Sequence, residues 1–140
     1  MGDYSEERVI GYRKLLSNNN WANVEHTMIT GSCHCQGVKY EITAEIQDFQ
    51  HCHCHTCRKI HGTVYGSSAV TSRDGFRIVS GNDKISEYES SPGKKRCFCS
   101  DCGSHIYAYM AAKPDIVVLR MGTLDEDPKV RPIRHIWMSH

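Results

Sequence analysis

Along most of the chain, apolar residues alternate with polar ones instead of recurring at helical spacing. Val38-Lys39-Tyr40-Glu41-Ile42 shows this most cleanly, as a strand with one face in a core should. Shorter stretches of strand character follow at 63–70, 76–79, 85–88, 96–99, 105–110, 116–121 and 134–138. Turn formers separate several of them: Arg73-Asp74-Gly75, Ser80-Gly81-Asn82-Asp83 and Ser91-Pro92-Gly93. Many short strands at close spacing predict a mainly β fold, an antiparallel sandwich or barrel-like arrangement. Residues 1–26 read differently. Val9, Tyr12 and Leu16 fall at helical spacing, interrupted by Gly11, and Ser17-Asn18-Asn19-Asn20 closes the segment. The pattern predicts an N-terminal extension, a short helix or partly disordered, ahead of one domain over 27–140.

Composition narrows the partners. A chain of 140 residues, 39% hydrophobic and 24% charged, can bury a single core. A formal charge of +1 gives no broad attraction to nucleic acid or to an anionic membrane surface. No apolar run approaches the roughly 20 residues of a membrane helix. The N-terminus is polar and acidic, unlike a secretory signal, which predicts a cytoplasmic protein.

The candidate chemistry lies in eight cysteines. His51-Cys52-His53-Cys54-His55-Thr56-Cys57-Arg58-Lys59 packs thiols, imidazoles and two cations where a core would want branched apolar side chains. Thiolate and imidazole are the ligands that select zinc over magnesium or calcium. In a cytoplasmic chain these cysteines read as metal ligands rather than disulfides. Cys99-Ser100-Asp101-Cys102-Gly103 has the spacing of a zinc knuckle, and Cys33-His34-Cys35 sits just before the strand at Val38. Spacing alone leaves two pairings open. Cys54 and Cys57 can join Cys99 and Cys102 in a zinc ribbon, leaving Cys33, Cys35 and Cys52 spare. Alternatively Cys33, Cys35, Cys99 and Cys102 close a four-thiolate site, while Cys52, Cys54 and Cys57 form a site of three. A closed site is structural, whereas three protein ligands leave a position for substrate or water. Cys97 is expected in the core.

These motifs resemble the glutathione-dependent formaldehyde-activating enzyme family, which includes the centromere protein V type domains. The resemblance is carried by Gly31-Ser32-Cys33-His34-Cys35 with Val38 and Tyr40, by Cys52-His53-Cys54-His55-Thr56-Cys57-Arg58-Lys59, and by Gly62, Phe76, Gly81, Tyr88 and Ser90-Ser91. It continues through Arg96-Cys97-Phe98-Cys99-Ser100-Asp101-Cys102-Gly103-Ser104, Gly122-Thr123-Leu124-Asp125 and His135-Ile136-Trp137. The resemblance implies two small antiparallel sheets meeting like a tent and stapled by zinc. It also implies the second pairing: a structural zinc on Cys33, Cys35, Cys99 and Cys102, and a catalytic zinc on Cys52, Cys54 and Cys57. Gln36 departs from the family, which usually has glycine directly after the second cysteine.

The implied reaction is that of a carbon–sulfur lyase, forming or cleaving S-hydroxymethylglutathione from glutathione and formaldehyde or a related small aldehyde. Glutathione would be the co-substrate. Three cysteinates weaken the Lewis acidity of a zinc ion, which favours a role in holding sulfur. His53, His55 or His61 can supply the proton for the hemithioacetal oxygen. Arg58 and Lys59 are candidate contacts for glutathione's carboxylates. Lys94-Lys95-Arg96 is expected to be a solvated loop, His34, His51 and His105 to be packing residues, and Asp125 to fix a turn. The alternative is a zinc-stabilised binding module of the same fold without turnover.

Overall fold

The computed structural model describes residues 27–139, so the extension expected over 1–26 lies outside the described residues. In chain order the elements are β1 (Ile29–Ser32), β2 (Lys39–Ile42), β3 (Gln47–Cys52), α1 (His55–His61), β4 (Gly66–Ser72), β5 (Phe76–Ser80), β6 (Ile85–Ser91), β7 (Lys94–Cys99), β8 (His105–Met110), β9 (Lys113–Arg120) and β10 (Arg134–Ile136). They form two sheets of unequal size, ordered β1-β2-β5 and β10-β3-β4-β9-β8-β7-β6. The fold is mainly β with two sheets. Neighbouring strands run antiparallel throughout, except that β10 lies parallel to β3.

Alternation locates β2 and β5 to β9 to within a few residues, because each has one face in the core. Two elements depart from that expectation. β3, Gln-Asp-Phe-Gln-His-Cys, carries almost no apolar signal, yet β4 and β10 flank it and satisfy its backbone on both edges. Asp48 takes φ 52°, and the β3–β4 register shifts between Gln47 and Gln50. The strand is therefore bulged as well as polar. Helix α1 is equally silent in the pattern. It is a two-turn helix begun by Cys54 and ended by Gly62 at φ 60°.

Val38, Tyr40, Ile42, Ala69, Phe76, Ile106, Val117 and Leu119 build the core, with Cys33 and Cys99 packed into it. Aromatic contacts join the sheets. Tyr40 of β2 and Phe76 of β5 stack with ring centroids 5.3 Å apart, and Phe76 meets Tyr107 of β8 at 4.9 Å. The opposite face of the large sheet is polar. There the registers set Cys52 against Gly66, Ser68 against Arg120, and Arg96 against Ala108 and so beside Val118. Period two puts all these residues on one side. Among the described residues, no helix is long and apolar enough to cross a membrane.

The small sheet closes tightly around Tyr40, which is fully buried and whose hydroxyl lies 2.8 Å from Thr123 Oγ1. A Cβ at Gly31 would sit 2.0 Å from Tyr40 Cζ. Neither the ring nor the paired strands can yield without breaking the β1–β2 register. Gly31→Ala is expected to destabilise the domain by about 1–3 kcal/mol through overpacking, read as a lower urea midpoint at unchanged slope.

Candidate functional site

Cys33 and Cys35 leave the end of β1, and Cys99 and Cys102 leave the end of β7, so two turns converge from different sheets. Their four sulfurs lie within 4.8 Å of one another, with Cys33 and Cys35 3.5 Å apart and Cys35 and Cys99 3.9 Å apart. A tetrahedral zinc with bonds of about 2.3 Å spaces its sulfurs by roughly 3.8 Å, so this donor set fits one ion. All eight cysteines are free thiols. The turns already favour anionic sulfur: the Val38 amide donates to Cys33 Sγ at 3.2 Å, and Ser104 Oγ lies 3.2 Å from Cys102 Sγ. That Ser104 hydrogen bond, helped by backbone amides, lowers the Cys102 thiol to about 5. Cys35 moves the other way. The Gly37 amide favours its thiolate, but the Cys33 thiol and burial raise it to about 12. Converging thiols therefore cannot all ionise without a cation among them.

Cys52 ends β3, Cys54 is the N-cap of α1 and Cys57 lies in that helix's first turn; their sulfurs also fall within 4.8 Å of one another. The backbone thus sorts seven cysteines into a group of four and a group of three. A zinc ribbon of Cys54, Cys57, Cys99 and Cys102 does not form. Burial pushes the Cys52 thiol up to about 12. Burial also opposes ionisation of Cys54, yet its thiol is lowered, because the Cys57 amide donates to its sulfur at 3.3 Å and the neighbouring thiols add to this. This is an N-cap with sulfur in the place of a hydroxyl. Cys97 stays outside both groups, fully buried, and burial raises it to about 11.

The histidines divide into two pairs. His53 Nε2 lies 2.8 Å from His135 Nδ1, with His51 and Tyr65 stacked against them and Ser67 Oγ 2.9 Å from His51 Nδ1. Burial, then the charges of His135 and His53, lower His51. His61 faces His105 at 4.7 Å, and His61 Nε2 and His105 Nδ1 are buried without a partner. Burial, with Arg120 and His105 beside it, brings His61 down to about 3, so its ring is neutral at physiological pH. His55, Arg58 and Lys59 lie exposed on α1. Asp125 accepts from Ser32 Oγ at 2.6 Å and from Thr30 Oγ1 at 3.1 Å, tying the last loop to β1.

One expectation is reversed. Lys94-Lys95-Arg96 is not a solvated loop but the start of β7, and Arg96 is only 4% exposed. Its Nε donates to Ser90 Oγ at 2.8 Å, and its Nη2 lies 3.9 Å from Cys57 Sγ. Basic runs usually mark solvent, but here strand alternation turns every second residue onto the face that carries the three-cysteine group. Sequence reasoning also missed Arg120, 6% exposed on the same face, as well as His135 and Tyr65. A basic residue inside an otherwise apolar β9 was the available signal for Arg120; His135 reaches the site only through the parallel β10–β3 pairing.

Fold and sites together define a mainly β domain with two cysteine centres, each able to hold a metal ion. The profile described as "Glutathione-dependent formaldehyde-activating enzyme" matches residues 28–140, and the chain belongs to that family. A Halomonas elongata protein named for the same family is 27% identical over 121 residues, 81% of this chain and 76% of that protein. An uncharacterised lyase of Schizosaccharomyces pombe is 31% identical over 84 residues, 59% of each chain. Among solved structures, a Rhodobacter sphaeroides protein shares the fold with a TM-score of 0.60 at 22% identity, covering 76% of this chain and 98% of its own.

Two predictions follow from this geometry. Gln36 takes φ 64°, in the left-handed region that favours glycine. Gln36→Gly is expected to stabilise the metal-replete protein by about 1 kcal/mol, a rise of a few degrees in thermal midpoint. The second concerns metal count. Purified protein should carry two zinc ions; Cys54→Ser should lose one and stay folded. Cys102→Ser should lose cooperative folding, since structural zinc contributes on the order of 10 kcal/mol. A single zinc that survives Cys33→Ser, measured by elemental analysis, would defeat the assignment.

Proposed function

We propose that the chain is a carbon–sulfur lyase that joins glutathione to formaldehyde, or to a related small aldehyde, and runs the same reaction in reverse. Cys33, Cys35, Cys99 and Cys102 hold a structural zinc, and Cys52, Cys54 and Cys57 hold a second. The observation that carries the reading is the three-thiol group at the end of β3 and the start of α1, to which no other Cys, His, Asp or Glu among the described residues adds a ligand atom, whereas a tetrahedral zinc takes four ligands. A zinc ion held there supplies ionisation of an incoming thiol near neutral pH. The family relationship and the lyase name of the yeast relative support the reaction class.

The remaining chemistry falls to side chains around the group. In the forward direction sulfur bonds to the carbonyl carbon, and the carbonyl oxygen must gain a proton. His53 stands next in sequence to Cys52 and Cys54, and its Nε2 lies 2.8 Å from His135 Nδ1, so this pair can deliver a proton and be refilled from solvent. His55, exposed at the start of α1, is the second candidate. Arg58 and Lys59 on the exposed side of α1 offer cations to glutathione's carboxylates. Free thiols throughout suit a reducing compartment, the cytoplasm.

Magnetisation exchange between formaldehyde and its glutathione adduct, followed by NMR, tests the proposal. The zinc-loaded protein should accelerate exchange, Cys54→Ser should abolish the effect, and His53→Gln should slow it by roughly 10²-fold or more. No acceleration with any small aldehyde would leave a zinc-stabilised binding module of the same fold.

A further inference from the structure

Two guanidiniums are buried on the same face of the large sheet as Cys52, and neither has a carboxylate partner. Arg96 is 4% exposed and Arg120 6% exposed. Arg96 Nη1 and Arg120 Nε and Nη2 are buried without any hydrogen-bond partner, and Lys94 is half-buried nearby. A buried, unpaired guanidinium is costly, and natural structures pair such groups with anions. No ion pair among the described residues supplies one, for the pairs all involve other side chains. Arg96 does meet a sulfur: its Nη2 lies 3.9 Å from Cys57 Sγ. The same sulfurs act on Arg120. Burial and Arg96 bring its guanidinium down to about 10, and the Cys57 and Cys52 thiolates oppose that fall. Other titratable groups facing the pair are Lys94, Cys97, His61 and His105; burial lowers Lys94 and both histidines, His61 to about 3, and raises Cys97.

We infer that Arg96 and Arg120 are positioning residues that make the three-cysteine centre a receptor for an anionic ligand, so that a thiol substrate is taken up there as its thiolate. The inference rests on the reading of Cys52, Cys54 and Cys57 as a metal-binding set, and deepens it. Three thiolates and a divalent ion carry a net charge of about −1, which repels a further anion. Two buried guanidiniums on the same face reverse that sign, in surroundings where charge is screened less than in water. A neutral aldehyde oxygen gains little from this arrangement. An incoming thiolate gains directly, and the proton its thiol loses goes to buffer through solvent. The arginines thereby bias the centre toward holding sulfur.

The test is calorimetric and needs no turnover. Zinc-loaded protein is titrated with glutathione and with S-methylglutathione, which keeps every carboxylate but cannot ionise at sulfur. Buffers of different ionisation enthalpy count the protons released. Wild type should bind glutathione with release of close to one proton and discriminate strongly against the S-methyl compound. Arg96→Met and Arg120→Met should each weaken glutathione binding by about tenfold or more and shift the proton-release midpoint to higher pH, while binding of the S-methyl compound is unchanged. Arg120→Lys should recover part of the loss. Zinc content and circular dichroism confirm that each variant is folded, and the lysine variants Arg96→Lys and Arg120→Lys replace any methionine variant that is not. Equal loss for both ligands, or unchanged glutathione affinity in folded variants, would overturn the inference. Arginine-dependent thiolate binding without aldehyde exchange would instead leave the inference standing and remove the lyase reading.

Discussion

Thiolates brought within van der Waals contact of one another repel, and the arrangement of this domain follows from how that repulsion is met. The four-cysteine group joins the turn after β1 to the turn after β7, so the small sheet is tied to the large one through sulfur as well as through Tyr40, Phe76 and Tyr107. Cys33 and Cys99 belong to the hydrophobic core itself. An ion at that point is therefore continuous with the packing, and its removal would leave like charges or desolvated thiols at the centre of the fold.

The three-cysteine group meets the same repulsion differently. A helix N-terminus caps Cys54 and a guanidinium lies beside Cys57, so part of the negative charge is balanced by protein dipoles and cations. On the proposed reading, that balance lets three cysteines hold an ion without a fourth thiolate. The two centres are alike in donor chemistry and opposite in design. On the proposed reading, one is closed by its own four thiols, whereas the other is balanced from outside and so can accept a ligand that is not part of the chain.

How far the sequence could be read depends on which force dominated each segment. Where a strand faces an ordinary core, as at Val38 to Ile42, alternation reports it directly. Cysteine spacing and family resemblance together pointed to the grouping that the backbone brings about. β3 was invisible because its side chains answer to the site instead of the core: Cys52, His51 and Gln50 hold positions that apolar residues would otherwise fill. Lys94-Lys95-Arg96 misled for a related reason. Local charge predicts solvent only when the compensating anion is also solvent, and here the compensation comes from a cysteine thirty-nine residues away in sequence. The parallel pairing of β10 with β3, which delivers His135 to His53, leaves no local trace at all.

This long-range compensation also bears on which of the two histidine pairs can act. His61 and His105 lie beside the buried cations, and burial, with that field, lowers both, His61 to about 3. A neutral imidazole that cannot gain a proton near pH 7 is a poor shuttle. His53, just after β3, and His135, in the edge strand β10, are hydrogen-bonded to each other, with His135 exposed to solvent and His53 partly so. The burial that surrounds the cations thus makes His61 a poor proton donor and leaves that role, in the proposed reaction, to His53 and His135. In the proposed reaction, charge is thus held by the buried guanidiniums, while the proton is handled by the imidazole pair that reaches solvent.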